Sequence, residues 1–271
     1  MKQEETRKLY VGVDVGASAV KIVVLDGQQT IVAEGVARTG VDLALVAQDC
    51  LDAVLTRQRL TMDQMVAATA TGFGRHNVPF ATATKTEIGC HARGCFHYFP
   101  MPITIIDIGG QDNKIIRLDE QGNTIDFKMN RKCAAGTGAF IEEIAERLGV
   151  ELSQLSGLAS SSTETVELGS FCTVFSKTEV LARMREGRPL AGILRGALQS
   201  VVQRVVEIGP LDGDVVMSGG VVAHNSLVAE LMEQRLGRKV LLPPSPQTIG
   251  ALGAALFALA ADTQSESGET L

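Results

Sequence analysis

The chain has 271 residues, 45% of them hydrophobic and 21% charged, enough apolar matter for one large domain or two smaller ones. Its formal net charge of −6 argues against DNA or RNA as partner, because nucleic-acid binders present a basic face to the phosphates. The longest apolar run, residues 251–261, falls short of the roughly 20 residues of a membrane-spanning helix, and residues 1–8 are charged rather than signal-like, so a soluble, cytoplasmic protein without a membrane partner is expected.

Along the chain, an apolar run at 10–13 reaches Asp14-Val15-Gly16 and returns through a second apolar run, which is a hairpin signature. Residues 31–36 read as a third strand, 41–57 as a helix, and 65–70 as a buried strand ending at Thr71-Gly72. Residues 103–106 then begin the pattern again: a strand, the turn Asp107-Ile108-Gly109, and a returning strand. There follow a strand at 124–129, helices at 138–148 and 191–208, and a short strand at 215–217 ending in Ser218-Gly219-Gly220. Helices at 225–236 and 248–260 close the pattern, and residues 262–271, rich in Ser, Thr, Glu and Gly, read as a disordered tail.

The second half repeats the first. Residues 14–28 (DVGASAVKIVVLDGQ) laid without a gap over 107–121 (DIGGQDNKIIRLDEQ) share seven of fifteen positions: Asp, Gly, Lys, Ile, Leu, Asp and Gln. Composition alone gives about one. The duplication implies an α/β fold of two similar lobes with a nucleotide cleft between them. Residues 1–101 plus 248–261 form one lobe and 102–247 the other. Asp beside Gly at a strand end lets backbone amides approach phosphate oxygens while the carboxylate faces Mg²⁺ or its waters. Lys21 and Lys114 read either as charge for phosphate or as solvated strand residues.

Five cysteines (Cys50, Cys90, Cys95, Cys133, Cys172) are an odd number, and in a reducing compartment thiols are buried, reactive or metal-bound rather than paired. Cys50 falls in an apolar helix. Cys90 and Cys95, with His91 and His97 nearby, allow a second metal site, but packing under the first lobe is preferred. Lys177, Arg183, Arg185 and Arg188 form a basic stretch, read as a solvated helix face or as a docking surface for an acidic partner.

DIGGQDNK (107–114), NRKCAAGTGAF (130–140), CTVF (172–175), SPQTIGALGAAL (245–256) and CHARG (90–94) together carry a resemblance covering nearly the whole chain. The two phosphate loops resemble those of the actin, sugar-kinase and Hsp70 ATPase superfamily, with its ribonuclease H-like lobes. More narrowly, the chain resembles the activator ATPases of (R)-2-hydroxyacyl-CoA dehydratases, related to the BadF/BadG/BcrA/BcrD-type ATPase subunits of benzoyl-CoA reductases. The resemblance implies a homodimer holding one [4Fe–4S] cluster on its two-fold axis, with Cys133 and Cys172 as each subunit's ligands. It further implies ATP-driven transfer of a low-potential electron to a dehydratase or reductase partner, and ferredoxin or flavodoxin as upstream donor. For the nucleotide, ATP or ADP, Asp14 and Asp107 are assigned to Mg²⁺ and its waters, and Gly16, Ala17, Ser18, Gly109 and Gly110 to phosphate. Lys21 adds charge, Gln111 positions the attacking water, and Gly219, Gly220 and Gln247 line the adenosine side. A sugar or small-acid kinase and an actin-like assembly protein stand as alternatives; the kinase needs a carboxylate base for its acceptor hydroxyl, which no sequence feature marks.

Overall fold

The computed structural model describes residues 7–130, 133–168 and 173–267. The chain divides into two compact units, Met1–Met101 with Thr248–Leu271, and Pro102–Gln247. In the first unit lie β1 (Leu9–Val15), β2 (Ala19–Asp26), β3 (Ile31–Arg38), α1 (Leu43–Arg57), β4 (Met65–Thr71), β5 (Ala83–Thr84) and α2 (Glu87–Tyr98). The sheet order is β3-β2-β1-β4-β5, antiparallel through β3, β2 and β1 and parallel from β1 to β4 and β5. Side chains alternate across a strand. Leu9, Val11, Val13 and Val15 therefore share one core with Cys50, Leu51, Val54 and Leu55 of α1, while Tyr10, Gly12 and Asp14 fall on the opposite face.

The second unit contains β6 (Ile103–Ile108), β7 (Asn113–Leu118), β8 (Thr124–Asn130), α3 (Gly138–Leu148), α4 (Leu152–Ser160) and α5 (Thr173–Arg185). These are followed by α6 (Leu190–Ile208), β9 (Asp214–Ser218), α7 (Gly220–His224) and α8 (Ser226–Leu236). Its sheet, β8-β7-β6-β9, repeats the strand directions of β3-β2-β1-β4. The repetition reaches single residues. Asp14 lies opposite Lys21 and Thr71, and Asp107 opposite Lys114 and Ser218. Register shifts between Val24 and Leu25 in one hairpin and between Arg117 and Leu118 in the other. Asp26 Oδ1 accepts the amides of Gln28 and Thr30, and Asp119 Oδ1 those of Gln121 and Asn123, so the same side chain closes the second turn of each unit. Ile106, Ile108, Val215 and Met217 pack with α3, α4, α6 and α8 into this unit's core.

The closing helix α9 (Ile249–Ser267) lies on the Tyr10–Gly12–Asp14 face of the first unit and against α2. Glycine permits that approach: a Cβ on Gly12 would strike the carbonyl of Ala251, one on Gly253 the carbonyl of Cys90, and one on Gly94 the carbonyl of Ile249. The helix runs on to Ser267, past residue 262 where the composition suggests an unstructured tail. Asp262 Oδ2 accepts a hydrogen bond from Tyr10 at 2.8 Å and lies 3.4 Å from Lys8, tying the added turns to β1; residues 268–271 lie outside the described residues. No helix among the described residues is long and apolar enough to cross a membrane. Gly253→Ala is expected to destabilise the protein by at least about 2 kcal/mol in urea titration, because backbone and not a side-chain tip must yield. Gly157→Ala, on α4 where nothing lies within 4 Å of the new Cβ, is expected instead to stabilise by about 0.5–1 kcal/mol.

Candidate functional site

Asp14 ends β1 almost fully buried. Its Oδ2 accepts from Lys21 Nζ at 3.0 Å, whereas its Oδ1 is buried with no hydrogen-bond partner. Thr71, opposite it, turns its hydroxyl away to the Lys85 carbonyl at 3.1 Å. Gly72 follows at φ +87°, where a Cβ would lie 2.5 Å from Asp14 Oδ1. A buried carboxylate oxygen left without a donor is costly unless something positive reaches it, and a hydrated Mg²⁺ fits that requirement. The first turn of α9 also arrives here: a Cβ on Gly250 would lie 3.2 Å from Asp14 Oδ2 and 3.1 Å from His91 Nε2. The N-terminal end of a helix and a buried histidine thus approach one carboxylate. The sequence weighs His91 only beside the cysteines; sheet register and the path of α9 bring it to Asp14.

The loop from β1 to β2 is closed by Gly16 N to Ala19 O at 3.0 Å and held by Thr39, which donates its hydroxyl to Gly16 O at 2.8 Å and its amide to Ser18 O at 3.1 Å. Ala17 is exposed at its tip. The Lys21 ammonium lies beneath the loop, 3.0 Å from where a Gly16 Cβ would stand.

Asp107 is held more tightly than Asp14. Its Oδ2 accepts from Lys114 Nζ at 3.0 Å and its Oδ1 from the Ser218 hydroxyl at 3.3 Å. Lys114, only 1% exposed, also reaches Asp112 Oδ1 at 2.8 Å, so it is a buried bridge between two carboxylates rather than a solvated strand residue. Gly109 N to Asp112 O, 2.9 Å, closes the same turn as in the first unit; Gln111 is exposed in that turn. Gly219 at φ +98° is the counterpart of Gly72: a Cβ there would lie 2.8 Å from Asp107 Oδ1. Its amide donates to Pro246 O at 2.9 Å. Gly220 backs onto Gln247, whose Oε1 lies 3.1 Å from His224 Nε2. Gly219, Gly220 and Gln247 thus form one patch, and His224 joins it without any sequence signal. The equivalence of Thr71-Gly72 to Ser218-Gly219 also escapes the sequence, because the matched window stops at residue 121.

Cys133 is exposed, in a loop that enters α3. Asn130 Nδ2 donates to the Cys133 carbonyl at 3.2 Å, and the buried Thr137 hydroxyl to Ala134 O at 2.6 Å. The amides of Gly138 and Ala139 donate to the carbonyls of Gly109 and Gly110 at 2.9 and 2.8 Å, so the cysteine loop is joined to the turn after β6 by backbone bonds. Cys172 lies outside the described residues. Cys50, Cys90 and Cys95 are buried. Burial pushes the Cys90 thiol up to about 12, against an opposing hydrogen bond with Thr71. No cluster of three metal-ligating side chains occurs among the described residues. Iodoacetamide at pH 8 is therefore expected to alkylate Cys133 in iron-free protein and to spare Cys90, as peptide mass spectrometry can read.

In the basic stretch, Arg183 is shared by Glu179 and Glu186, and Arg188 approaches Glu164 and Glu186, so the charges of these two arginines are answered within the unit. A cavity of about 620 Å³ shares the Gly136 wall with the cysteine loop and is lined by Phe140, Arg195, Gln199, Arg204 and Arg235. None of Gly219, Gly220 and Gln247 lines it, so it is not the expected adenosine site.

The model of the BadF/BadG/BcrA/BcrD ATPase family matches residues 11–258. The activator of lactoyl-CoA dehydratase from Anaerotignum propionicum is 41% identical over 251 residues, 92% of this chain and 96% of that protein. Among solved structures, component A of (R)-2-hydroxyglutaryl-CoA dehydratase from Acidaminococcus fermentans superposes with a TM-score of 0.90 at 36% identity, over 94% of this chain and 99% of that one. The activator of 2-hydroxyisocaproyl-CoA dehydratase from Clostridium difficile, with bound ADPNP, gives 0.91 at 34% identity, over 97% and 98%.

Proposed function

Because this chain belongs to the BadF/BadG/BcrA/BcrD ATPase family, we propose that it hydrolyses ATP to drive a low-potential electron from a [4Fe–4S] cluster, shared with a second copy of itself, onto a partner of the 2-hydroxyacyl-CoA dehydratase or reductase class. The observation that carries this reading is the backbone junction between the phosphate loop and the cysteine loop, Gly138 N to Gly109 O and Ala139 N to Gly110 O. It ties an exposed thiol to the residues that meet phosphate.

Asp14, with one carboxylate oxygen lacking a hydrogen-bond partner, and Asp107 hold Mg²⁺ through its waters. The loops at Gly16, Ala17 and Ser18 and at Gly109 and Gly110 receive the phosphates, Lys21 balances their charge, and Gln111 orients the attacking water. Gly219, Gly220 and Gln247 hold adenosine. The cluster supplies a one-electron carrier and takes four thiolates; Cys133 and Cys172 provide two, and the two-fold related copy provides two more. The exposed Cys133 just ahead of α3 suits an anionic group, because the positive end of a helix and its amides favour thiolate. ATP gates delivery only if it binds one arrangement of the dimer better than the other. Ferredoxin or flavodoxin restores the electron.

Anaerobic purification tests the reading. Brown protein with about four irons per dimer, retaining a dehydratase-type partner in the presence of a non-hydrolysable ATP analogue, is the expected result. Colourless protein that phosphorylates a sugar, or that forms filaments with nucleotide, would overturn it.

A further inference from the structure

The two units differ at one buried position whose side chain faces the cysteine loop. Asn113 opens β7 with no exposed surface, and its Nδ2 donates to the Gly136 carbonyl at 2.8 Å. The amide orientation follows from the partner, because a carbonyl oxygen can only accept. Ninety-three residues earlier (113 − 93 = 20), the same place in the first unit is occupied by Val20, fully buried in an apolar core. The fold thus accepts a β-branched hydrocarbon here. Asparagine is the costlier choice, since its Oδ1 is buried with no hydrogen-bond partner.

The cost coincides with a cysteine loop that only the second unit carries. Asn113 lies directly opposite Asn130 across the β7–β8 ladder, and Asn130 donates to the Cys133 carbonyl. Two facing asparagines therefore grip the two ends of the segment from Cys133 to Gly136. Gly136 at φ +84° permits the grip: a Cβ there would lie 2.6 Å from the Arg204 Cβ and 3.4 Å from Asn113 Nδ2. Asn113 directly follows the turn that bears Gly109, Gly110 and Gln111.

We propose that Asn113 is a positioning residue that couples the second phosphate loop to Cys133, its side-chain amide carrying displacement of the nucleotide-bound turn into the cysteine loop through the Gly136 carbonyl. This rests on the nucleotide and cluster reading above. The backbone bonds at Gly138 and Ala139 attach the helix end of the loop; Asn113 attaches it at Gly136, toward Cys133, whose own carbonyl Asn130 holds.

The test is hydrogen exchange of the peptide spanning residues 133–139 in the full-length, anaerobically purified protein, with ADP and with a non-hydrolysable ATP analogue, in wild type and in Asn113→Val, the residue the first unit uses. Wild type is expected to differ about tenfold in exchange rate between the two nucleotides, and the variant less than about twofold, while ADP affinity stays within about threefold. A residue of purely structural importance would loosen the loop equally in both nucleotide states and leave the ratio intact; that result overturns the proposal. So does a wild-type loop whose exchange does not differ between nucleotides, a comparison that needs no variant. Asn113→Ser, which shortens the side chain so that it no longer reaches the Gly136 carbonyl, gives a second reading should the valine protein fail to fold. Where the cluster is present, the difference in its midpoint potential between ADP and ATP-analogue states is expected to collapse in the variant. Nucleotide binding without iron would sink the functional reading, yet the exchange comparison would still decide the role of Asn113.

Discussion

Cys133→Ala is expected to lose essentially all of the about four irons per dimer while binding ADP within about threefold of wild type. Cys133 is exposed; its loop meets the turn at Gly109 and Gly110 through the backbone of Gly138 and Ala139, which an alanine at 133 leaves in place. Asp14→Ala is the reciprocal case. It removes the buried carboxylate whose Oδ1 has no hydrogen-bond partner, so ATP hydrolysis is expected to fall about 10²–10³-fold with iron content unchanged. Iron assay and isothermal titration on both variants check the separation. Joint loss of iron and nucleotide in either single variant would mean that the two sites are one folding unit.

The largest stability effect is expected from Lys114→Met. Lys114 is 1% exposed and pairs with both Asp107, at 3.0 Å, and Asp112, at 2.8 Å. Its removal strands a buried carboxylate beside a second one, a loss of about 3–5 kcal/mol by urea titration. Lys21→Met removes the equivalent lysine from Asp14, but Lys21 is 16% exposed, so its cost is expected to be less than half as large. Asp107→Asn combined with Lys114→Met should recover part of the loss, since the stranded charge is then gone. Equal costs for the two lysines would contradict the difference in burial.

The duplication was legible because strand pairing is written in local sequence. An Asp-x-Gly turn between two apolar runs specifies a hairpin, and the repeated spacing of Asp, Lys, Leu and Asp carries the register, the bulge and the Asp-capped turn that both units form. Periodicity likewise marked α1, α3, α6 and α8, whose apolar faces alternate with polar ones. The short helix α4 and the glycine-interrupted α2 were not marked, and the run of helix beyond residue 262 was missed because Tyr10 and Lys8, more than 250 residues away, hold it.

Chemistry by residue type was therefore determined by sequence alone: two aspartates at strand ends, two glycine turns and a cysteine in a glycine-rich loop. Tertiary structure decided which atoms of those residues remain available. Thr71 turns from Asp14 while Ser218 turns toward Asp107, leaving one carboxylate oxygen without a donor in the first unit and none in the second. His91 and the first turn of α9 reach Asp14 from distant parts of the chain, and Asn113 meets the cysteine loop 23 residues on. Local sequence sets backbone conformation and strand register, but a hydrogen-bond partner is chosen by whatever the packed chain brings within about 3 Å.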